Sequence, residues 1–248
     1  MTPRLPPVIT ARQLTKTYGR GSATRTVLDD VDLEIGPSML TAIIGPSGSG
    51  KSTLLFCLSG LETRSSGEID LLGVDPARAR SGRMARLYRQ HVGFVFQDYN
   101  LIPYLSARRN AALPGLLAGR RDALRRADSA LSEVGLTEFA STPASHLSGG
   151  QQQRIALARV LAGRPEVVFA DEPTGALDTA ASAAVMGGLR ARADEGAAVV
   201  LVTHDLDAAA HADCVVLLRD GRIHAQRGKS SVQELAELLQ SGAEGWSR

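Results

Sequence analysis

Apolar and polar residues alternate along VITARQLTKTY (8–18) and again along VLDDVDLEI (27–35), and the glycine-bearing GRGSAT between them lets the chain reverse. A period of two marks half-buried strands, so these runs predict an antiparallel pair. LTAIIG (40–45) is instead continuously apolar: a buried strand running into a glycine-rich loop, with a helix over about Lys51 to Ser59. GEIDLLG (67–73) and VGFVFQ (92–97) predict further strands. From about 101 to 147 strand patterns vanish, and segments rich in Ala, Leu and Arg such as RRDALRRADSALSEVG predict a helical insertion. Strands and helices then alternate again. EVVFAD (166–171) predicts a strand, TAASAAVMGGLRARAD (179–194) a helix and AAVVLVTHD (197–205) a strand. CVVLLRDGRIHAQ (214–226) predicts a hairpin turning at Asp220-Gly221, and SSVQELAELLQSG a terminal helix capped by Ser230 or Ser231.

The alternation predicts an α/β fold with a mostly parallel sheet, an antiparallel β subdomain and an inserted α-helical subdomain. The expected organisation is a single domain over 1–248. Its α/β core covers about 8–100 and 148–226, its helical subdomain about 101–147, and its C-terminal helix and tail 230–248. A chain of 248 residues can bury such a core, and its 22% charged and 44% hydrophobic content excludes the disordered and fibrous classes. The net charge of +2, with no Lys/Arg block standing out, argues against nucleic acid. Cys57 and Cys214 sit in apolar surroundings without partners at metal spacing, as buried free thiols of a reducing compartment would. No apolar run reaches the ~18–20 residues of a membrane span, and MTPRLPPVIT has no signal-peptide character. The expectation is a soluble intracellular protein that serves a membrane only through another chain.

Candidate chemistry begins with GPSGSGKST, Gly45 to Thr53, lying between a predicted strand and a predicted helix. In that context Gly45-x-x-x-x-Gly50-Lys51-Ser52 is a phosphate loop. Glycines let backbone N–H groups wrap an anion, Lys51 brings charge to the β- and γ-phosphates, Ser52 offers a hydroxyl to Mg²⁺, and Thr53 can donate to a phosphate oxygen. The motif specifies a nucleoside triphosphate. VVFADEPTGALD places Asp171 and Glu172 at the carboxyl end of a strand, the edge at which such sheets bind ligands. Asp171 can hold Mg²⁺ through its water shell, and Glu172 can polarise a water for in-line attack on the γ-phosphate.

HLSGGQQQRIALAR (146–159) supplies a second anion site, with Ser148, Gly149 and Gly150 at the mouth of a helix on which Ile155, Ala158, Leu161 and Ala162 share a face. One nucleotide cannot touch both phosphate sites if the two lie far apart, as the intervening helical segment suggests. Two copies facing head to tail resolve the difficulty: Ser148 and the Gly149–Gly150 amides of one cap the γ-phosphate held by the other.

LSGGQQQR together with GPSGSGKST and ADEPTGALD resembles the nucleotide-binding subunit of ATP-binding cassette (ABC) transporters, over nearly the whole span from Thr15 to Gly221. The resemblance implies an ATPase using ATP and Mg²⁺. Its phosphate loop is Gly45, Pro46, Ser47, Gly48, Ser49, Gly50, Lys51, Ser52 and Thr53, and its signature turn is Ser148, Gly149, Gly150 and Gln151. It further implies that Tyr18 stacks on adenine, that Gln97 senses Mg²⁺ and the attacking water, that Asp178 communicates across the dimer and that His204 contacts the γ-phosphate. Glu172, His204, Gln97 and Lys51 form the catalytic set, and Ser52, Gln97 and Asp171 the metal set.

FQDYNLIPYLSARRNAALPGLLAG is similar to the branch serving macrolide exporters, lipoprotein-release complexes and the cell-division system. Membership implies a second copy or a paralogous ATPase subunit as partner, an integral-membrane permease driven by dimerisation for export or mechanotransmission, and a cytoplasmic place on the inner face of the membrane. The chain departs from that branch at Arg108-Arg109-Asn110, where Arg109 stands at a usually acidic position; the reversal marks either a matched permease or neutral surface drift. Two other classes compete. A soluble ABC ATPase acting on nucleic acid or ribosomes would carry tandem cassettes or coiled-coil arms, and a small-molecule P-loop kinase would leave Ser148–Gln151 and His204 unexplained.

Overall fold

The computed structural model describes residues 6–19, 21–175 and 177–241. In chain order its elements are β1 (Ile9–Tyr18), β2 (Arg25–Ile35), β3 (Met39–Ile44), α1 (Lys51–Ser59), β4 (Ser66–Leu71), α2 (Ser81–Gln90), β5 (Val92–Val95), α3 (Ala107–Leu117) and α4 (Ala123–Glu133). They continue with α5 (Gly149–Gly163), β6 (Val167–Asp171), α6 (Thr179–Asp194), β7 (Ala198–Val202), α7 (Leu206–Ala209), β8 (Cys214–Arg219), β9 (Arg222–Gly228) and α8 (Val232–Ser241). The helix predicted over Lys51–Ser59 has those bounds, while the strand predicted over 92–97 stops at Val95. The contacts divide the chain into two compact units, one built up to Ala79 and again from Val200, the other from Arg80–Val199.

In the first unit β1 lies between β2 and β4, antiparallel to both, as the alternation of its first half and that of β2 require. Ile9 pairs with Ile35 and Leu71, and Ala11 with Leu33 and Ile69, so these two apolar positions of β1 meet apolar partners on either side. Gln13 breaks the register at φ 48°, where its N–H donates to Asp32 Oδ1 at 2.9 Å. β3 runs parallel to β8, Thr41 opposite Cys214 through Ile44 opposite Leu217, and β9 returns antiparallel to β8. Asp220 (φ 47°) and Gly221 (φ 76°) make the hairpin turn, the paired positive φ values that a two-residue connection needs. Cys57 and Cys214 are free and buried; burial pushes the Cys57 thiol up to about 11, so it stays protonated and inert.

In the second unit β5 runs parallel to β6, with Phe94 stacked on Phe169 at 5.7 Å. Every residue of β6 is buried. α5 touches α3, α4, α6 and β5, which places it at the centre of this unit. Ile155, Ala158 and Ala162 are buried on it as the spacing predicts, while Leu161 is half-buried. α2 is an element the alternation did not indicate. It buries only Met84 and Leu87 and exposes Arg83, Arg86 and Arg89, so its apolar signal is two residues long. β7 begins in this unit, where Ala198 N donates to Glu166 O at 2.9 Å, and the segment ends in the other, where Thr203 N donates to Ile43 O at 3.3 Å.

Candidate functional site

The phosphate loop joins β3 to α1 within the first unit. Gly45 adopts φ 152°, and a Cβ there would stand 2.0 Å from Leu218 O. Gly50 adopts φ 101°, and its Cβ would meet Val27 O at 2.8 Å. Both positions therefore need glycine for room as well as for conformation. The β8–β9 turn braces the loop from behind, Gly221 N donating to Ser49 O at 3.1 Å. At Gly48 (φ 78°) nothing lies within 4 Å of a Cβ, so this part of the loop faces open space.

Gly50 is also the N-cap of α1 and provides no side-chain cap, which leaves the first-turn N–H groups without an intrahelical acceptor. Lys51 is 9% exposed and its Nζ donates to Gly45 O and Pro46 O, both at 2.9 Å, holding the ammonium against the loop. Ser49 Oγ is buried with no hydrogen-bond partner. A helix N-terminus capped by glycine, a cation and an orphaned hydroxyl fit a phosphate chain. Pro46, Ser47 and Gly48 are exposed, and Ser52 and Thr53 half-buried, at the same turn.

Tyr18 ends β1, 42% exposed. Lys16 Nζ sits 4.5 Å from its ring centroid and is itself held by Glu62 Oε1 at 2.6 Å and Thr63 O at 2.7 Å. Sequence reasoning missed this support, because Lys16 and Glu62 are 46 residues apart. Burial, the largest single influence, opposes the Lys16 charge, but the hydrogen bond that Lys16 donates to Glu62 and the Glu62 charge together outweigh it and raise Lys16 above its usual value; the same bond lowers Glu62. His204, exposed, follows β7 and precedes Asp205, whose Oδ1 caps α7 by accepting from Asp207 N at 2.9 Å.

Within the second unit, Asp171 closes β6 at 9% exposure. Glu172 follows with φ 46°, a left-handed conformation costly for a side chain with a Cβ and retained mostly where surrounding structure enforces it. Asp178 is the N-cap of α6, its Oδ1 accepting from Ala181 N at 2.8 Å. Gln97 is exposed just beyond β5, and two left-handed residues come next, Tyr99 (φ 59°) and Asn100 (φ 51°).

Ser148 caps α5 through a reciprocal pair. Its Oγ accepts from Gln151 N at 3.3 Å, and Gln151 Oε1 accepts from Ser148 N at 2.9 Å. The Gly149 and Gly150 amides, as the first two of the helix, keep no intrahelical acceptor, and the Ser148 hydroxyl retains its proton to donate. Ser148 and Gly149 are exposed, so three donors converge at a surface turn. Each half of the sequence-derived set is thus assembled inside its own unit.

Beside Gln97 lies an apolar groove of about 290 Å³, lined by Tyr88, Phe94, Phe96, Leu113, Pro114 and Leu117. Leu117 is 61% exposed and Tyr104, in the preceding loop, 90% exposed. Of the three unusual residues at 108–110, two bond to other parts of the same unit, Arg108 at the surface and Asn110 buried. Arg108 grips Asp128 with two bonds of 2.6 Å, and Asn110 ties Ile102 N, Ile102 O and Leu105 O together. Arg109 is exposed as well.

The family model described as ABC transporter matches residues 28–175. The chain belongs to the ABC transporter family. It is an ABC-type ATPase, and solved ATP-binding cassettes share its fold. The cassette MJ0796, described as a dimer in a post-hydrolysis state bound to ADP and Pi, superposes with a TM-score of 0.83 at 34% identity, covering 90% of this chain and 99% of that one. Among curated relatives, the macrolide export ATP-binding/permease protein MacB 2 of Aeromonas hydrophila is 40% identical over 98% of this chain and 39% of its own length. The MacB of Nitrosomonas europaea is 45% identical over 89% of this chain and 34% of its own. The ABC chain thus spans about a third to two-fifths of these relatives. Among the described residues no helix is long and apolar enough to cross a membrane.

Proposed function

We propose that this ATPase works as a head-to-tail pair, each ATP held by the phosphate loop of one copy and closed by the Ser148 turn of the other. The observation that carries the reading is the Ser148 turn itself: one hydroxyl and two backbone amides presented at the surface, with the Ser148 amide already committed to Gln151. Such a turn suits an anion brought to it from outside. A neighbouring cassette described as dimeric gives pairing itself a precedent.

Within each site the roles follow from residue chemistry. Lys51, the loop amides and Thr53 neutralise and orient the β- and γ-phosphates, and Tyr18, backed by Lys16, offers its ring to the adenine. Glu172 accepts the proton of the attacking water, His204 donates to the γ-phosphate, and Gln97 orients the water. Ser52, Gln97 and Asp171 are oxygen donors of the kind Mg²⁺ takes, and among the described residues no cluster of His, Cys, Asp or Glu would cage a metal alone. Bound Mg²⁺ would supply charge neutralisation at the phosphates.

A membrane permease is the proposed load. The groove beside Gln97, with exposed Leu117, fits an apolar side chain on a cytoplasmic helix of that partner, and Arg109 stands exposed in the same unit to select its charge. The MacB relatives favour export or mechanotransmission as the output, from a place at the cytoplasmic face of the membrane.

Replacing Glu172 by Gln should preserve ATP binding yet trap a stable ATP-bound pair, seen by light scattering. A variant that stays monomeric in ATP while the wild type turns over would remove this role for Glu172. Co-purification with ribosomes or DNA in place of a membrane protein would redirect the reading to a nucleic-acid ATPase.

A further inference from the structure

Three loops far apart in sequence are fastened to one helix. At its N-terminus α5 carries the Ser148 turn. Near its middle, Gln153 is 1% exposed and its Nε2 donates to Pro173 O at 2.7 Å, gripping the loop that contains Glu172. Further along, the Arg159 guanidinium donates to Asn100 O at 2.8 Å, Tyr99 O at 3.2 Å and Phe94 O at 3.4 Å, gripping the loop that follows Gln97. Two closer contacts repeat the pattern. Tyr99 Oη stands 2.7 Å from where a Cβ on Gly149 would be, and Leu177 Cδ2 stands 3.7 Å from the corresponding point on Gly150.

The energetics favour firm attachment at both grips. Arg159 meets main-chain carbonyls, and desolvation lowers its pKa; a guanidinium that has lost hydration holds its remaining acceptors strongly. Those acceptors include Tyr99 and Asn100, both left-handed, which relax if released. Glu172, one residue before Pro173, is left-handed too. Each grip therefore retains a strained segment beside a candidate catalytic side chain. From Ser148 to Arg159 the helix runs about 16 Å at 1.5 Å per residue, and a hydrogen-bonded rod of that length moves as one piece.

We propose that α5 is a relay: Arg159 and Gln153 are positioning residues through which an anion captured at the Ser148 turn sets Gln97 and Glu172 together. Rigid attachment makes closure at Ser148 and alignment of the water-orienting and proton-accepting groups a single event. The idea rests on the site roles proposed above, so its test must separate the two.

Arg159→Met and Gln153→Met should each lower kcat roughly 10- to 100-fold, the loss expected when catalytic groups shift by about 1 Å. ATP affinity by calorimetry should stay within about twofold, because neither residue belongs to the phosphate loop. Arg159→Lys, which keeps the charge but spans fewer carbonyls, should recover part of kcat. A second pair needs no buried charge removed. Gly149→Ala should lower kcat by pressing on Tyr99, and adding Tyr99→Phe, which removes the obstructing hydroxyl, should restore it. Glu172→Gln serves as the control for the site itself. If Glu172→Gln abolishes turnover while Arg159→Met and Gln153→Met keep wild-type kcat, or if Tyr99→Phe fails to rescue Gly149→Ala, the relay is overturned and the site stands. If Glu172→Gln leaves turnover intact, the site roles fall first.

Discussion

At the scale of single residues, the structure separates positions fixed by sterics from positions fixed by chemistry. Gly45 and Gly50 are required by clashes with Leu218 O and Val27 O, so Gly45→Ala should lower the melting temperature whether or not nucleotide is added. Gly48 meets nothing within 4 Å, so Gly48→Ala should act through its positive φ and through the room left for a ligand. Lys51→Ala should abolish nucleotide binding by calorimetry while leaving the melt of the nucleotide-free protein nearly unchanged; retained tight binding would count against the phosphate cradle. The glycine spacing, Lys51 and the Asp171–Glu172 pair were legible because chemistry there depends on neighbours in sequence. Lys16, Arg159 and Gln153 were not, because each acts on a partner 20 to 65 residues away, and no local pattern encodes that distance.

At the scale of elements, periodicity performed well where burial is one-sided or complete and failed where it is thin. The pairing of β1 with β2, the hairpin turning at Asp220-Gly221 and α1 follow from alternation, turn chemistry and a glycine before the helix. α8 is capped at Ser231, whose Oγ accepts from Glu234 N at 3.3 Å, resolving the choice between Ser230 and Ser231. α2, with two buried side chains among five polar ones, gave too weak an apolar stripe to be seen. Capping offers a direct test at this scale. Asp178 caps α6, and Asp178→Ala should cost about 1 kcal/mol of stability from the lost hydrogen bond. If Asp178 also signals between copies, ATPase activity should fall well beyond the loss of folded protein measured by the same melt. A fall in activity that merely tracks unfolding would leave Asp178 a cap.

At the scale of the whole molecule, the pairs supporting Tyr18 predict a pH window of stability. Glu62 is lowered below 4.5 by the hydrogen bond from Lys16, so its contribution is complete above that value and is lost as pH falls through the folded-state value. Lys16 is raised above 10.5; its contribution is complete below that value and is lost as pH rises through the folded-state value. Glu62→Gln should therefore flatten the acid limb of the stability profile, measured by denaturant melts from pH 3 to 6. An unchanged acid limb would show the pair to be energetically silent, as exposed pairs often are.

The division of the candidate residues between two compact units also bears on the mechanism, since closing the Ser148 turn is assigned to a second copy. Mixing two defective variants tests that assignment most directly. Lys51→Ala damages the loop, and Ser148→Arg blocks the turn. If each ATP is clasped by two copies, a mixed pair concentrates both lesions in one site and leaves the other with an intact loop and an intact turn, so ATP-dependent pairing, read by light scattering, should rise on mixing and peak near equal amounts. If each copy closes its own ATP, both sites of the mixed pair stay broken, and pairing that remains at the level of the separate variants would contradict the account.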